Sequence, residues 1–196
     1  MKRGVLRVTM NSLNVNNIVR QIARLVVASD SFQQILALLG HMRELKLDIN
    51  SELYSPMMSG VVTTYARNFN SSHGIGPLPG SYTKFPDTNL TIAHEKVIET
   101  RNKIYAHRDV SYQSVRSKSQ FSPYRIFVEL KPTLDGFNFT PVLADIPPNR
   151  MPDIINLVEF QHKRVIEDLS VKNELTTDFS KEYDFGKVYE WGVDIP

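Results

Sequence analysis

Cysteine is absent from the 196 residues, which excludes disulfides and thiolate chemistry and leaves a cytoplasmic setting as the default expectation. Neither sign of charge is in excess: 23 basic against 21 acidic side chains leave a formal net charge of +2. No broad field therefore draws nucleic acid to the chain, and any RNA contact has to be local. Long apolar runs are lacking too. The basic start Met1-Lys2-Arg3 is interrupted by Arg7 and Asn11 before a signal-peptide core can build. No apolar stretch of ~18 residues stands out, so a membrane-spanning helix is not expected. Internal repeats and low-complexity tracts are missing as well.

Several catalytic signatures are also wanting. His41, His73, His94, His107 and His162 are scattered, no two at i,i+4, and His94-Glu95 lacks the second histidine of a zinc-protease helix. No metal or other cofactor is expected. A Gly-x-Ser-x-Gly turn for a serine nucleophile does not occur. Gly74, Gly76 and Gly80 make no phosphate loop, because no Gly-Lys-Ser/Thr follows and no strand precedes. Glu95 and Glu99 share a helical face opposite the apolar stripe, which suits solvated charges. His162 falls on the apolar face of its helix, as a hydrogen-bonded core histidine would.

What the chain has is helical periodicity. Hydrophobic residues make up 41% and charged residues 22%, the balance of one globular domain. Val15, Ile18, Val19, Ile22, Leu25 and Val26 recur at helical spacing, and Phe32, Ile35, Leu36, Leu39 and Met42 continue an apolar face. Asp30 or Ser31, with Gln33 and Gln34 behind them, can cap a second helix here, although one long kinked helix is also compatible. Ser55 as N-cap and Pro56 at the first helical position open the next helix, whose face is Met57, Val61, Tyr65 and Phe69. Gly60 inside it implies close packing against another helix or a weak helix.

Residues 70–86 are too densely punctuated by glycine and proline for a regular element. Asp87 or Thr88 then caps a helix with the stripe Leu90, Ala93, Val97, Arg101 and Ile104. A serine-rich connection follows, and alternation predicts a β-hairpin with strands near 124–131 and 137–143 about Asp135-Gly136. Pro152 can start a last long helix with the face Ile154, Ile155, Val158, Val165, Ile166 and Leu169, and Lys163 and Glu167 form an i,i+4 pair on it. The tail 176–196 is rich in aromatic residues, which predicts packing against the body or a partner.

The segment Thr100-Arg-Asn-Lys-Ile-Tyr-Ala-His-Arg-Asp109 carries the most chemistry. Arg101 offers a planar fork for phosphate oxygens, and His107 can exchange a proton near neutral pH. With Asn102 and a ribose 2′-hydroxyl as internal nucleophile, they suffice for metal-free RNA cleavage. Arg67, Arg108, Arg116 and Lys118 are available as a basic rim. Yet on an ideal helix His107 lies about 120° around from Arg101 and about 9 Å along the axis. Either the helix loosens or two copies combine; a capping or interfacial role for the same residues stays open.

Arg101-Asn102-Lys103-Ile104-Tyr105-Ala106-His107 resembles the signature of the HEPN superfamily (higher eukaryotes and prokaryotes nucleotide-binding), an arginine separated from a histidine by four to six residues. Ala106-His107-Arg108-Asp109 and the helix ending Tyr65-Ala66-Arg67-Asn68-Phe69 are similar to abortive-infection and related HEPN families. The resemblance covers roughly residues 15–110 and 150–175. It implies a mainly α, four- to five-helix bundle with the β-hairpin inserted before the last long helix. The chain is then a single HEPN-like domain over 1–196, to which loop 70–86, hairpin 124–143 and tail 176–196 are additions. It also implies a homodimer whose two motifs line one cleft, and a metal-independent endoribonuclease leaving a 2′,3′-cyclic phosphate. His107 would be the general acid/base, Arg101 would hold the scissile phosphate and Asn102 would position it. A phage-defence or toxin component with a cognate antitoxin is the implied setting, and a non-catalytic dimeric interaction or nucleotide-binding module is the alternative.

Overall fold

The computed structural model describes residues 12–70, 75–102, 127–142 and 146–176. Among them the chain is mainly helical: α1 (Ser12–Glu44), α2 (Tyr54–Arg67), α3 (Thr88–Thr100) and α4 (Met151–Thr176), with the hairpin β1 (Phe127–Thr133) and β2 (Gly136–Val142) before the last helix. The aromatic tail beyond Thr176 lies outside the described residues.

α1 runs unbroken past Asp30 and Ser31. Leu25, Ala28, Phe32, Ile35, Leu39 and Met42 are all buried, and their alternating steps of three and four residues stay in phase across the possible break. Continuing the helix keeps both halves of that stripe in one core. The would-be caps are used inside the helix instead: Gln34 donates to Asp30 Oδ2 at 2.7 Å and Ser31 Oγ donates to Val27 O at 2.8 Å. The second helix expected to start at Asp30 or Ser31 is therefore the same helix. Over Asn17–Glu44 it is also long and apolar enough to cross a membrane by length and composition, against the sequence expectation. In this fold that stretch supplies the bundle core.

α1 ends in a Schellman turn. Lys46 adopts φ 49°, and Lys46 N and Leu47 N donate to Arg43 O and Met42 O at 3.1 and 3.0 Å, satisfying carbonyls the helix leaves open. α2 begins at Tyr54 with Leu53 as N-cap, not at Ser55. The preceding turn is already wound, with Tyr54 N on Ser51 O at 2.9 Å. Pro56 thus falls third in the first turn, where an N–H would still lack an intrahelical acceptor. The helix holds through Gly60, which faces Leu38 of α1.

The hairpin has a two-residue loop, Leu134-Asp135, with Thr133 paired to Gly136. Gly136 takes φ 141°, a conformation that favours glycine. α4 packs along α1 as the most extensive helix pair, and α3 packs on α4 and α2. From α4 the core takes Met151, Ile154, Leu157, Val158, Gln161 and Val165. Ile166, expected on that face, is 45% exposed. The Lys163–Glu167 pair forms at 3.9 Å between well-exposed side chains. His162 is half-buried at the rim, its Nε2 3.2 Å from Ser29 Oγ of α1.

Residues 75–86 form a strap belonging to the core. Leu78 and Tyr82 are buried in it, Tyr82 within a 3-10 turn, Gly80–Thr83. Arg24 Nε donates to Ile75 O at one end. At the other, Gln161 Nε2 donates to Tyr82 O at 2.8 Å and Arg164 reaches Ser81 O at 3.0 Å and Lys84 O at 3.4 Å. Backbone carbonyls of an irregular segment are thereby paired with side chains of α4.

Candidate functional site

Asp87 fixes the start and phase of α3: its carboxylate accepts from Asn89 N at 2.8 Å, an N-cap that satisfies an otherwise open donor. From there Ala93, His94, Val97 and Thr100 turn into the core. The α-helix ends at Thr100, and Arg101 and Asn102 continue it with π geometry, a local widening of the helix. The rest of the motif, from Lys103 to His107, lies outside the described residues.

Arg101 is half-buried and Asn102 exposed. Arg101 Nη1 donates to Asn102 Oδ1 at 3.1 Å. Among the described residues no carboxylate pairs with Arg101. Among those residues its guanidinium donates to Asn102 alone, and a half-buried cation favours an anion beside it. The other expected site residues do not join them. Arg67 is exposed in the last turn of α2 and shares no hydrogen bond with Arg101 or Asn102. His107, Arg108, Arg116 and Lys118 lie outside the described residues.

Beside the pair, α3 lines a cavity of about 380 Å³ with His94, Glu95, Ile98, Glu99 and Asn102. The two glutamates, read from the sequence as solvated charges, border this cavity. Glu95 is exposed, whereas Glu99 is half-buried and ion-paired to Lys96 at 3.0 Å.

His94 was not singled out by its sequence context. It is 8% exposed, with Phe69 and Phe85 4.8 and 5.1 Å away between ring centroids. Its Nδ1 is 2.9 Å from Tyr65 Oη. Burial in this aromatic cluster lowers its pKa, opposed in part by the Glu95 carboxylate, so the ring is held neutral. Burial drives the Tyr65 phenol pKa strongly upward, so the hydroxyl stays protonated. The Tyr65 hydroxyl and His94 Nδ1 share one hydrogen bond, whose direction follows the imidazole tautomer. The signal for this arrangement was positional: His94, Ile98 and Asn102 follow one another at i, i+4 and i+8.

Comparison with protein-family models, curated proteins and solved structures finds no match to the chain. No relative supplies a family or an activity, and the site has to be argued from its own residues.

Proposed function

We propose that the chain is a metal-independent, HEPN-type endoribonuclease that cleaves RNA by attack of a ribose 2′-hydroxyl on the adjoining phosphate. Support comes from one observation above the rest: Arg101 is half-buried at the end of α3, with Asn102 Oδ1 at 3.1 Å and no carboxylate beside it among the described residues. In this reading the guanidinium holds the scissile phosphate and stabilises the charge that grows on it. Asn102 orients the guanidinium. His107 takes the proton from the 2′-hydroxyl or returns one to the departing 5′-oxygen. The 2′-oxygen bonds to phosphorus as the bond to the 5′-oxygen breaks, leaving a 2′,3′-cyclic phosphate. A homodimer would place both motifs along one cleft.

The test is cleavage of a mixed RNA in EDTA by wild-type, Arg101→Ala and His107→Ala proteins. Both variants are expected to lose at least about a hundredfold in rate. Equal activity in all three would sink the assignment.

A second reading, a non-catalytic dimeric interaction module, is favoured by an apolar groove between α1 and α4. It is about 430 Å³ and lined by Ile22, Val26, Ile166, Leu169, Ser170 and Asn173, with Val26 51% and Ile166 45% exposed. On that reading Val26→Glu abolishes self-association in sedimentation, and intact protein leaves RNA uncut.

A further inference from the structure

The groove between α1 and α4 has two apolar walls, Ile22 and Val26 on one side and Ile166 and Leu169 on the other, with the polar Ser170 and Asn173 toward the end of α4. The two helices run antiparallel: Lys172 Nζ donates to Gln21 Oε1 at 2.7 Å, while His162 Nε2 lies 3.2 Å from Ser29 Oγ. The groove therefore opens beside the point where the chain leaves α4. Asn173 precedes Thr176, the last residue of that helix, by only three positions, or ~4.5 Å along the axis. α1, in contrast, starts at Ser12, ten positions before Ile22, so the chain ahead of it joins the helix ~15 Å beyond that residue.

After α4 the sequence reads Thr177-Asp178-Phe179-Ser180-Lys181-Glu182-Tyr183. Threonine and aspartate are weak helix formers, and aspartate favours turns. Phe179 and Tyr183 stand four positions apart, on one face of an extended chain and ~13 Å from each other. Ile166 and Asn173 are seven helical steps apart, ~10 Å. The two lengths match, and a reversal just past Thr176 sets them side by side. We propose that the segment following α4 turns back at Thr177-Asp178 and lays Phe179 and Tyr183 into the α1–α4 groove of the same chain. Phe179 covers Leu169 at the near end, and Tyr183 covers Val26 and Ile166 at the far end. Lys181 falls between them, level with Ser170. The groove cannot hold this segment and a second copy at once, so release of the segment is what exposes the face for self-association. The inference is independent of the ribonuclease reading.

Because the chain has no cysteine, disulfide trapping in the full-length protein meets no competing thiol. Ser170→Cys paired with Lys181→Cys is expected to close an intramolecular disulfide, which needs Cα atoms within ~7 Å of each other. The control joins Lys181→Cys to Val171→Cys, a residue 58% exposed that lies about 160° around α4 from Asn173. Its separation in sequence is nearly the same. With glutathione disulfide at low protein concentration, the first pair should close about tenfold faster than the control, since a seated segment raises the local concentration of its thiol. Phe179→Ser together with Tyr183→Ser is expected to abolish that advantage, and so is Val26→Glu, a change at a half-exposed wall of the groove. Equal rates for the two pairs, or an advantage that survives either change, would overturn the proposal. Covalent dimers in place of the closed monomer would overturn it as well, and would give the groove to a second copy. The ribonuclease reading stands or falls on Arg101 and His107, whichever way the trapping comes out.

Discussion

Tyr82 donates its hydroxyl hydrogen to Asp168 at 2.6 Å, joining the strap to the last helix across 86 positions of sequence. The ring is held independently by Arg164, whose guanidinium carbon lies 4.6 Å from its centroid. Tyr82→Phe therefore removes one charged-acceptor hydrogen bond and keeps the stacking. A loss of about 1.5 kcal/mol is expected, a fall of roughly 3–6 °C in Tm for a chain of this size. An unchanged melting curve would show that Arg164 and Gln161 alone hold the strap.

Gln161 is the larger test of the same strap. It is fully buried at 0% exposure and donates to Tyr82 O at 2.8 Å. Gln161→Leu keeps the approximate volume and leaves the Tyr82 carbonyl without that donor, so about 1–3 kcal/mol is expected to be lost in urea denaturation. An unchanged denaturation midpoint would show that the buried amide does not hold the strap.

The histidine and tyrosines set both ends of the pH profile. His94 has a folded-state pKa below its ordinary 6.5, so between the two values the unfolded chain binds the extra proton. Its contribution is intact above about pH 6.5 and is lost as pH falls toward the depressed value. Tyr65 and Tyr82 are raised above 10.0, mainly by burial. Stability is thus also lost as pH rises above about 10, where only the unfolded phenols ionise. Melting curves from about pH 5 to 8 should show a shallower acid limb for His94→Gln than for wild type, and identical limbs would refute the assignment.

Two glycines should respond with opposite signs to alanine. At Gly60 an added Cβ would meet Leu38 Cδ1 at 3.6 Å, an ordinary contact in mid-helix, so Gly60→Ala should stabilise by about 0.5–1 kcal/mol. Gly76 takes φ +77°, and its Cβ would come within 3.0 Å of Arg24 Nη2. Gly76→Ala should cost about 1–2 kcal/mol through the left-handed backbone, with a further loss if Arg24 releases Ile75 O. Chemical denaturation of both variants tests the pair.

Thr100 Oγ1 is buried without a hydrogen-bond partner among the described residues. Thr100→Val replaces the hydroxyl by a methyl of similar shape and should be neutral or stabilising by about 1 kcal/mol. Because Arg101 follows directly, a large loss of RNA cleavage in a normally folded Thr100→Val protein would reveal a role for the hydroxyl beyond packing.

Much of the helical frame was legible because it is written in local periodicity. The stripes of α1 and α4, the Asp87 cap, the hairpin and the Lys163–Glu167 pair could all be read from spacing. The cap residues at Asp30 and Ser31 allow a break, but they carry no information about the phase of the stripe, which favours the single long helix. Leu25 and Phe32 are seven residues apart, and that step alone carries one face through the gap. Tyr82, Gln161 and Arg164 were not legible as a group, since their partners lie about eighty residues away and depend on how the strap approaches α4. At the site, Arg101 and Asn102 stood out by type. The hollow beside α3 did not, because a surface depression depends on what packs beside the helix and leaves no mark in local spacing.

The pairing of α1 with α4 orders events during synthesis. The first helix emerges with its apolar stripe exposed, and its main partner is not complete until residue 176. Until then Phe32, Ile35, Leu39 and Met42 can be covered only in part, by α2 and the strap. Closure between distant segments is slow relative to helix formation, and a waiting apolar helix is the kind of surface that chaperones bind and that aggregates grow from. Nascent chains stalled ahead of α4 should therefore crosslink to a chaperone through α1, and release it once the last helix has cleared the ribosome.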